Sequence, residues 1–91
     1  MEFEWDSHKA TRNLQRHNVS FGEAATVFSD PLSITVPDPD HSLDEDRSIT
    51  VGLSHRDRVL VVAHTERGDR IRLISARELT RTERVQYEEG R

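Results

Sequence analysis

Residues 58–84 read RVLVVAHTERGDRIRLISARELTRTER, and this stretch decides the fold that the sequence predicts. Two strand-like runs rich in apolar residues flank an Arg-Gly pair at positions 67–68, which is typical of a β-hairpin. Thr80 follows, with Glu83 three residues later. Because this S/T-x-x-E spacing is that of a capping box, it predicts a helix over residues 81–88.

The same stretch concentrates the positive charge of the chain. Residues 56–84 hold eight arginines against five acids, a net charge of +3, whereas residues 1–54 hold four bases against ten acids, a net charge of −6. Arginine stays protonated and offers a rigid fork of donors that fits phosphate. The cluster therefore indicates a phosphate-binding surface. The alternative is that these arginines only line the solvent faces of strands and a helix.

Length and composition restrict the class of protein. With 91 residues, of which 33% are hydrophobic, the chain is expected to form a single domain over residues 1–91. It has no cysteine, which excludes disulfides and cysteine-based zinc sites. The N-terminus lacks the basic and apolar regions of a secretory signal, and no run approaches the roughly 18 apolar residues of a membrane helix. We therefore expect a cytoplasmic protein without membrane association.

Hydrophobic periodicity predicts an α+β fold. Period-2 alternation indicates strands, whereas apolar residues at helical spacing between capping residues indicate helices. Asp6 or Ser7 is expected to cap the first helix and Asn18 to end it, and Ser20 with Glu23 forms a second capping box before the next helix. The predicted architecture is a four-stranded antiparallel sheet, plus a short N-terminal strand, with the helices packed on one face. The order is β-α-α-β-β-β-β-α, with strands around Phe3 and Trp5 and at 32–37, 49–53, 59–66 and 70–77, and helices from Asp6 or Ser7 to His17, at 21–29 and at 81–88.

The hairpin permits a finer prediction about the two faces of the sheet. If the Arg-Gly pair forms the two-residue turn, His64 lies opposite Ile71, and cross-strand partners share a face. One face is then expected to carry Leu60, Val62, His64, Ile71, Leu73, Ser75 and Arg77. The other face is expected to carry Val61, Ala63, Thr65, Arg70, Arg72 and Ile74.

Several kinds of chemistry are disfavoured by the motifs. The five histidines form none of the usual zinc spacings, and the four glycines are isolated, which argues against metal catalysis and against a phosphate loop. Metal-free cleavage of RNA needs a base near the 2′-oxygen and positive charge on the phosphate. Glu45 or His64 are candidate bases beside the arginines, although His64 is equally a strand-end residue and Glu45 one more acid of an exposed loop. Tyr87 either stacks on a base or packs the last helix.

The residues also resemble a known family. The segments FEWDSHKATRNLQRHNVSF (3–21), EAATVFSDPL (23–32), HTERGDRIRLISAR (64–77) and RTERVQYE (81–88) look like the BrnT toxins of type II toxin–antitoxin systems. The resemblance covers nearly the whole chain, and I-R-x-I-S-A-R is its most specific motif. One departure is Arg16-His17-Asn18, where Lys-His-Gly is usual.

This resemblance implies a RelE-like ribonuclease that uses no metal or cofactor and activates the 2′-hydroxyl of RNA. It implies a neighbouring antitoxin of the BrnA type, through whose DNA-binding region the complex contacts operator DNA and represses its own operon. Mapped onto this chain, the expected catalytic residues are Glu45, Arg47, His64, Arg67 and Arg77. The expected RNA-binding residues are Arg70, Arg72, Arg81, Arg84 and Tyr87.

A second hypothesis is a non-enzymatic binding module, such as a corepressor subunit that acts only through a protein partner. The acidic net charge of −4 argues against strong nonspecific binding of RNA, because phosphate neutralisation drives such binding. Direct DNA recognition by this chain is disfavoured, since the last predicted helix, which carries Arg81, Arg84 and Gln86, is interrupted by Glu83, Glu88 and Glu89.

Overall fold

A computed structural model describes residues 1–40 and 46–90 of the chain. No helix in these two ranges is long and apolar enough to cross a membrane. A 3₁₀ turn at Val27–Ser29 follows the second helix. The elements are β1 (Glu2–Glu4), α1 (Ser7–His17), α2 (Phe21–Thr26), β2 (Ile34–Pro37), β3 (Arg47–Leu53), β4 (Val59–Arg67), β5 (Arg70–Glu78) and α3 (Arg81–Glu89).

The helix ends lie where the capping residues predicted them. Asp6 caps α1 by accepting the Lys9 N–H at 3.2 Å, and Asn18 ends that helix with a left-handed φ of 57°. Ser20 caps α2 by accepting the Glu23 N–H at 3.0 Å. The return bond of the second capping box is missing from the observed contacts, because the Glu23 carboxylate binds Ser54 and Arg58 instead.

The sheet has five strands in the order β1-β5-β4-β3-β2. Strands β2 to β5 follow one another as antiparallel neighbours, as predicted for this part of the chain. The N-terminal strand β1 pairs with β5 in the parallel sense, so that Glu2 lies beside Arg70 and Glu4 beside Arg72. The sheet is therefore mixed, which the sequence did not predict.

Two helices cover one face of this sheet, which we call the helix-packed face. The core between them is formed by Val19, Phe21, Ala24, Val27, Leu60, Val62, Ile71, Leu73 and Ala76. We call the opposite surface the open face. It carries the residues that alternate with these core positions, among them Arg47, Ile49, Val61, Thr65 and Arg77.

Helix α3 lies on the open face, which corrects the prediction that all helices pack on one side. Glu83 of this helix forms an ion pair with Arg77 on the open face. No residue of α3 is buried, and its inward side chains only border a groove above the sheet. The N-terminal turn of α3 is closed by Thr80 and Glu83, which exchange both bonds of the predicted capping box.

The register of the hairpin differs from the prediction in two places, at its turn and at a β-bulge between Ala63 and His64. Arg67 pairs with Arg70, so the turn residues are Gly68 and Asp69, one position later than predicted. Beyond the bulge the alternation of β5 is reversed relative to the prediction. Ser75 and Arg77 therefore lie on the open face, opposite Ala63 and Val61, and Ala76 takes the core position.

Two buried polar groups fix the helices to the sheet. The Asn13 amide donates to the carbonyl oxygens of Val19 (2.9 Å) and Ala76 (2.8 Å) and accepts the Ala76 N–H (3.0 Å). Asn13 is 7% exposed, so these bonds are made away from water. They hold α1 against the middle of β5.

Glu23, which is 3% exposed, anchors α2 to the loop before β4. Its carboxylate accepts bonds from Ser54 Oγ (2.7 Å) and Arg58 Nε (2.9 Å), and its second oxygen also contacts Arg58. The hydrogen bond with Arg58 lowers the pKa of Glu23 in spite of burial, and the same bond raises the pKa of Arg58. Arg58 thus has a structural role and is not available to a ligand.

Candidate nucleic-acid interface

Four arginines from three strands share one end of the open face. Arg47 of β3 pairs with Thr65 of β4, which pairs with Arg72 of β5, and these residues form one row across the sheet. In the next row Arg67 lies opposite Arg70. Since neighbouring strands are about 4.8 Å apart, the Arg47 and Arg72 backbones are separated by about 10 Å. We call Arg47, Arg67, Arg70 and Arg72 the arginine patch.

Carboxylates hold most of this patch in place. Arg72 Nη1 donates to Glu4 Oε2 at 2.9 Å, and Arg70 lies 3.6 Å from Glu2 and 3.9 Å from Glu4. The Nε of Arg47 is 4.0 Å from Asp38 Oδ2. Such pairs orient the guanidinium groups but reduce their net field, so the patch suits a ligand that competes with carboxylates, such as a phosphate.

Arg77 lies on the same face but apart from the patch. It pairs with Val61, which is four residues from Thr65 and hence about 13 Å along the strand. Its Nη1 and Nη2 donate to the two oxygens of Glu83 at 2.7 and 3.0 Å. These bonds raise the pKa of Arg77 and, with the Thr80 backbone bond, lower the pKa of Glu83 to about 2.

A groove of about 330 Å³ separates α3 from the open face. We call it the α3 groove. Its walls are mostly aliphatic, with Arg77, Glu83, Gln86 and Tyr87 as its polar or aromatic members, and the aliphatic lining consists of Ile34, Ile49, Val51, Val61 and Leu79. The half-buried Tyr87 is therefore beside Arg77, whereas Arg81 and Arg84 are exposed on α3.

His64 lies on the helix-packed face, away from the arginines with which the sequence associated it. It is 4% exposed, its Nε2 is 2.7 Å from Thr50 Oγ1, and its ring packs edge-on against Phe28 at 4.9 Å. Burial lowers its pKa, which favours the neutral form of the ring. The alternation of β4, which is unbroken by the bulge in its partner, places it there. Glu45, the other predicted base, lies outside the described residues.

The structure adds a basic cluster that the sequence analysis overlooked. Lys9, Arg12 and Arg16 of α1 line a cavity of about 250 Å³ together with Asn13, His17, Ile74 and Ser75. The signal was present in the sequence, because α1 has three cations and no acid. It was hidden by the acidic total of residues 1–54.

Comparison with known proteins decides the family. The family model described as "Ribonuclease toxin, BrnT, of type II toxin-antitoxin system" matches residues 5–83. The chain belongs to the BrnT family. A crystal structure of the Brucella abortus ribonuclease toxin BrnT superposes with a TM-score of 0.70 at 20% sequence identity, over 89% of this chain and 99% of that chain. That likeness supports the fold, and no curated protein sequence matches the chain significantly.

In this BrnT-family chain the described residues offer no group of three or more histidine, cysteine or acidic side chains that could hold a metal ion. What they do offer is fixed positive charge. Guanidinium groups that are already oriented by carboxylates can bind a phosphate without reorganising, which is how preorganised charge stabilises a developing oxyanion. The residues brought together by the fold are thus the arginine patch and, separately, Arg77 with Tyr87.

Proposed function

We propose that this BrnT-family protein is an RNA endonuclease that cleaves RNA without a metal ion and thereby inhibits translation. One observation carries the proposal: arginines from three different strands share one end of the open face, in a chain whose family is described as ribonuclease toxins. Such a surface supplies the positive charge that phosphodiester cleavage needs.

In the proposed reaction the 2′-oxygen of a ribose attacks the adjacent phosphorus. A base takes the proton of the 2′-hydroxyl, the bond from phosphorus to the 5′-oxygen breaks, and that oxygen leaves with a proton. The products are a 2′,3′-cyclic phosphate and a 5′-hydroxyl. The arginine patch binds the phosphate and stabilises the charge that accumulates on its oxygens. Glu4 acts as a positioning residue by holding Arg72.

Glu45 is the proposed base. In the sequence it precedes Arg47, the first residue of β3 and a member of the arginine patch, by two positions. His64 is not assigned this role, because its ring is buried on the other face of the sheet.

The α3 groove is the proposed position for a base of the bound RNA. Tyr87 gives an aromatic surface, the facing aliphatic residues give a flat apolar wall, and Arg77 supplies a nearby cation for the backbone. Arg81 and Arg84 extend the positive charge along α3. Arg77 is available only when RNA competes with the Glu83 carboxylate.

We further infer the biological setting from the family. The protein would be cytoplasmic and RelE-like, neutralised by an antitoxin of the BrnA type, and the complex would repress its own operon through the DNA-binding region of that antitoxin. The support is the type II toxin–antitoxin description of the family model. The apolar α3 groove and the paired arginines also suit the alternative function, a corepressor subunit without enzymatic activity.

The test is incubation of the purified, partner-free protein with RNA in the presence and absence of a chelator. We expect cleavage in both, with cyclic phosphate ends detected by mass spectrometry. Cleavage that stops with the chelator would contradict the metal-free mechanism. If no cleavage occurs under any condition while an antitoxin still binds, the corepressor function is correct instead.

A further inference from the structure

The basic cluster on α1 differs from most of the arginine patch in having no carboxylate partners among the described residues. Within residues 1–40 and 46–90, neither Lys9, Arg12 nor Arg16 forms an ion pair. The acid closest to Lys9 in the sequence is Asp6, and its carboxylate caps the helix by accepting the Lys9 backbone N–H. These three cations are therefore available to an external anion.

Helix geometry puts the three cations on one side of α1. Their spacings of three, four and seven residues place them on adjacent turns of the same face. Like charges at these spacings repel one another and disfavour the helix, and no acid of α1 offsets this. The repulsion is relieved when an anion binds, so the cluster is better suited to a polyanion than to solvent alone.

The fold connects this cluster to the open face. Asn13, on the same side of α1, is bonded to both backbone groups of Ala76, which fixes the helix beside β5. The cavity of the cluster accordingly includes Ser75, which lies on the open face opposite Ala63. Ser75 thus lies between two basic regions. One is the arginine patch with Arg77 on the open face, and the other is the α1 cluster. Strand β1 is short, and its residues Glu2 to Glu4 pair with residues 70–72 of β5. It therefore does not cover the edge of β5 at Ser75.

We propose that Lys9, Arg12 and Arg16 form a second phosphate site, which binds the backbone of the RNA substrate outside the scissile nucleotide. This inference rests on the proposed function, because it extends the path of the same RNA from the open face over the edge of β5. RNA is favoured over an acidic protein segment because the cluster continues a surface that already carries the arginine patch. Repeated phosphates can occupy both ends of that surface at once.

The test measures binding of a 2′-O-methyl RNA oligonucleotide, which lacks the nucleophile and cannot be cleaved. The salt slope is the dependence of log Kd on log salt concentration. The triple variant Lys9→Gln/Arg12→Gln/Arg16→Gln loses three phosphate contacts, so we expect its salt slope to be lower by about 2. Arg56→Gln, at an exposed loop position, is the matched control and should leave the slope unchanged. Arg12→Lys keeps the charge and should also keep the slope. Circular dichroism confirms that each variant is folded.

A second measurement separates this inference from the proposed function. The triple variant should cleave a dinucleotide, which is too short to reach α1, at the wild-type rate, while its KM for a long RNA rises at least tenfold. If the wild-type protein cleaves RNA but the triple variant keeps the wild-type salt slope and KM, the second site is refuted and the proposed function stands. If the variant binds RNA normally but is no longer neutralised by the antitoxin, the cluster is a protein-binding site and the inference is overturned.

Discussion

On the helix-packed face, polar side chains are buried and bonded inside the protein, whereas on the open face they lie at the surface in reach of a ligand. Asn13, Glu23 and His64 belong to the first kind, and the arginine patch belongs to the second. The difference separates residues that hold the fold from residues that an external phosphate can reach by competing with carboxylates. It also gives a rule that can be tested. Substitutions on the helix-packed face should reduce stability, and substitutions on the open face should reduce activity.

The largest loss of stability is expected from Arg58→Ala. It removes the guanidinium partner of the buried Glu23 carboxylate and leaves Ser54 as its hydrogen-bond donor among the described residues, and breaking a buried ion pair costs about 3 to 5 kcal/mol. We expect about 3 kcal/mol, the lower end of this range, because the Arg58 side chain keeps 21% of its surface exposed. Urea unfolding measures the change. Arg84→Ala, at an exposed position of α3, is the control and should change the free energy by less than about 0.5 kcal/mol.

Asn13→Ala should have the next largest effect. The substitution leaves the backbone groups of Ala76 and the Val19 carbonyl without their buried partner, and each such group costs about 1 to 3 kcal/mol unless water reaches it. We expect a total of about 2 to 3 kcal/mol from the same unfolding experiment, because α1 can shift to admit water. Gln15→Ala on the exposed side of α1 is the control. Equal effects of the two substitutions would show that Asn13 does not anchor the helix.

His64 on the helix-packed face should make the unfolding free energy depend on pH. Its pKa is lowered in the folded protein because burial disfavours the charged ring, although Glu66 opposes this weakly. Below the ordinary value of 6.5 the unfolded chain therefore binds a proton that the folded protein excludes, and stability falls as the pH decreases. The slope for one proton is at most about 1.4 kcal/mol per pH unit. Unfolding between pH 7.5 and 5 should show this slope in the wild type and a smaller one in His64→Gln.

The smallest effect is expected for Glu83→Gln on the open face. The pair with Arg77 is partly exposed, with side-chain exposures of 39% and 36%, so it should contribute less than about 1 kcal/mol. Because the pKa of Glu83 is lowered to about 2, this contribution is present above pH 4.5 and lost as the pH falls from 4.5 through about 2. The difference in unfolding free energy between wild type and variant should vanish at the acid end. A loss of several kcal/mol at pH 7 would place Glu83 among the structural residues.

Local signals in the sequence predicted much of this fold. The caps at Asp6, Ser20 and Thr80 and the left-handed Asn18 depend on neighbours within a few residues, and the structure confirms them. The antiparallel run of β2 to β5 followed from alternation alone. The parallel pairing of β1 with β5 joins residues nearly seventy positions apart, and no local pattern indicates it.

The candidate site was harder to predict because it depends on register. A single bulge between Ala63 and His64 moves Ser75 and Arg77 to the open face, and alternation by itself cannot reveal it. The sequence also gave no indication that Glu4 and Glu83 would bind arginines of the site, since such partners are set by tertiary contacts. Composition predicted a phosphate-binding surface, which stays a prediction, and it did not indicate how the arginines are arranged.

The proposed phosphate-binding role of the arginine patch is tested most directly by single-turnover cleavage of RNA with the Arg47→Ala/Arg72→Ala protein in the presence of a chelator. Removing one preorganised donor to a developing oxyanion costs about 10²- to 10³-fold in rate, so we expect at least a 100-fold loss. Circular dichroism and urea unfolding must show that the double variant is folded under the assay conditions, because the Arg47–Asp38 pair, with side-chain exposures of 17% and 7%, also contributes to stability. A folded double variant that cleaves RNA at the wild-type rate would contradict the assignment of the arginine patch as the phosphate-binding site.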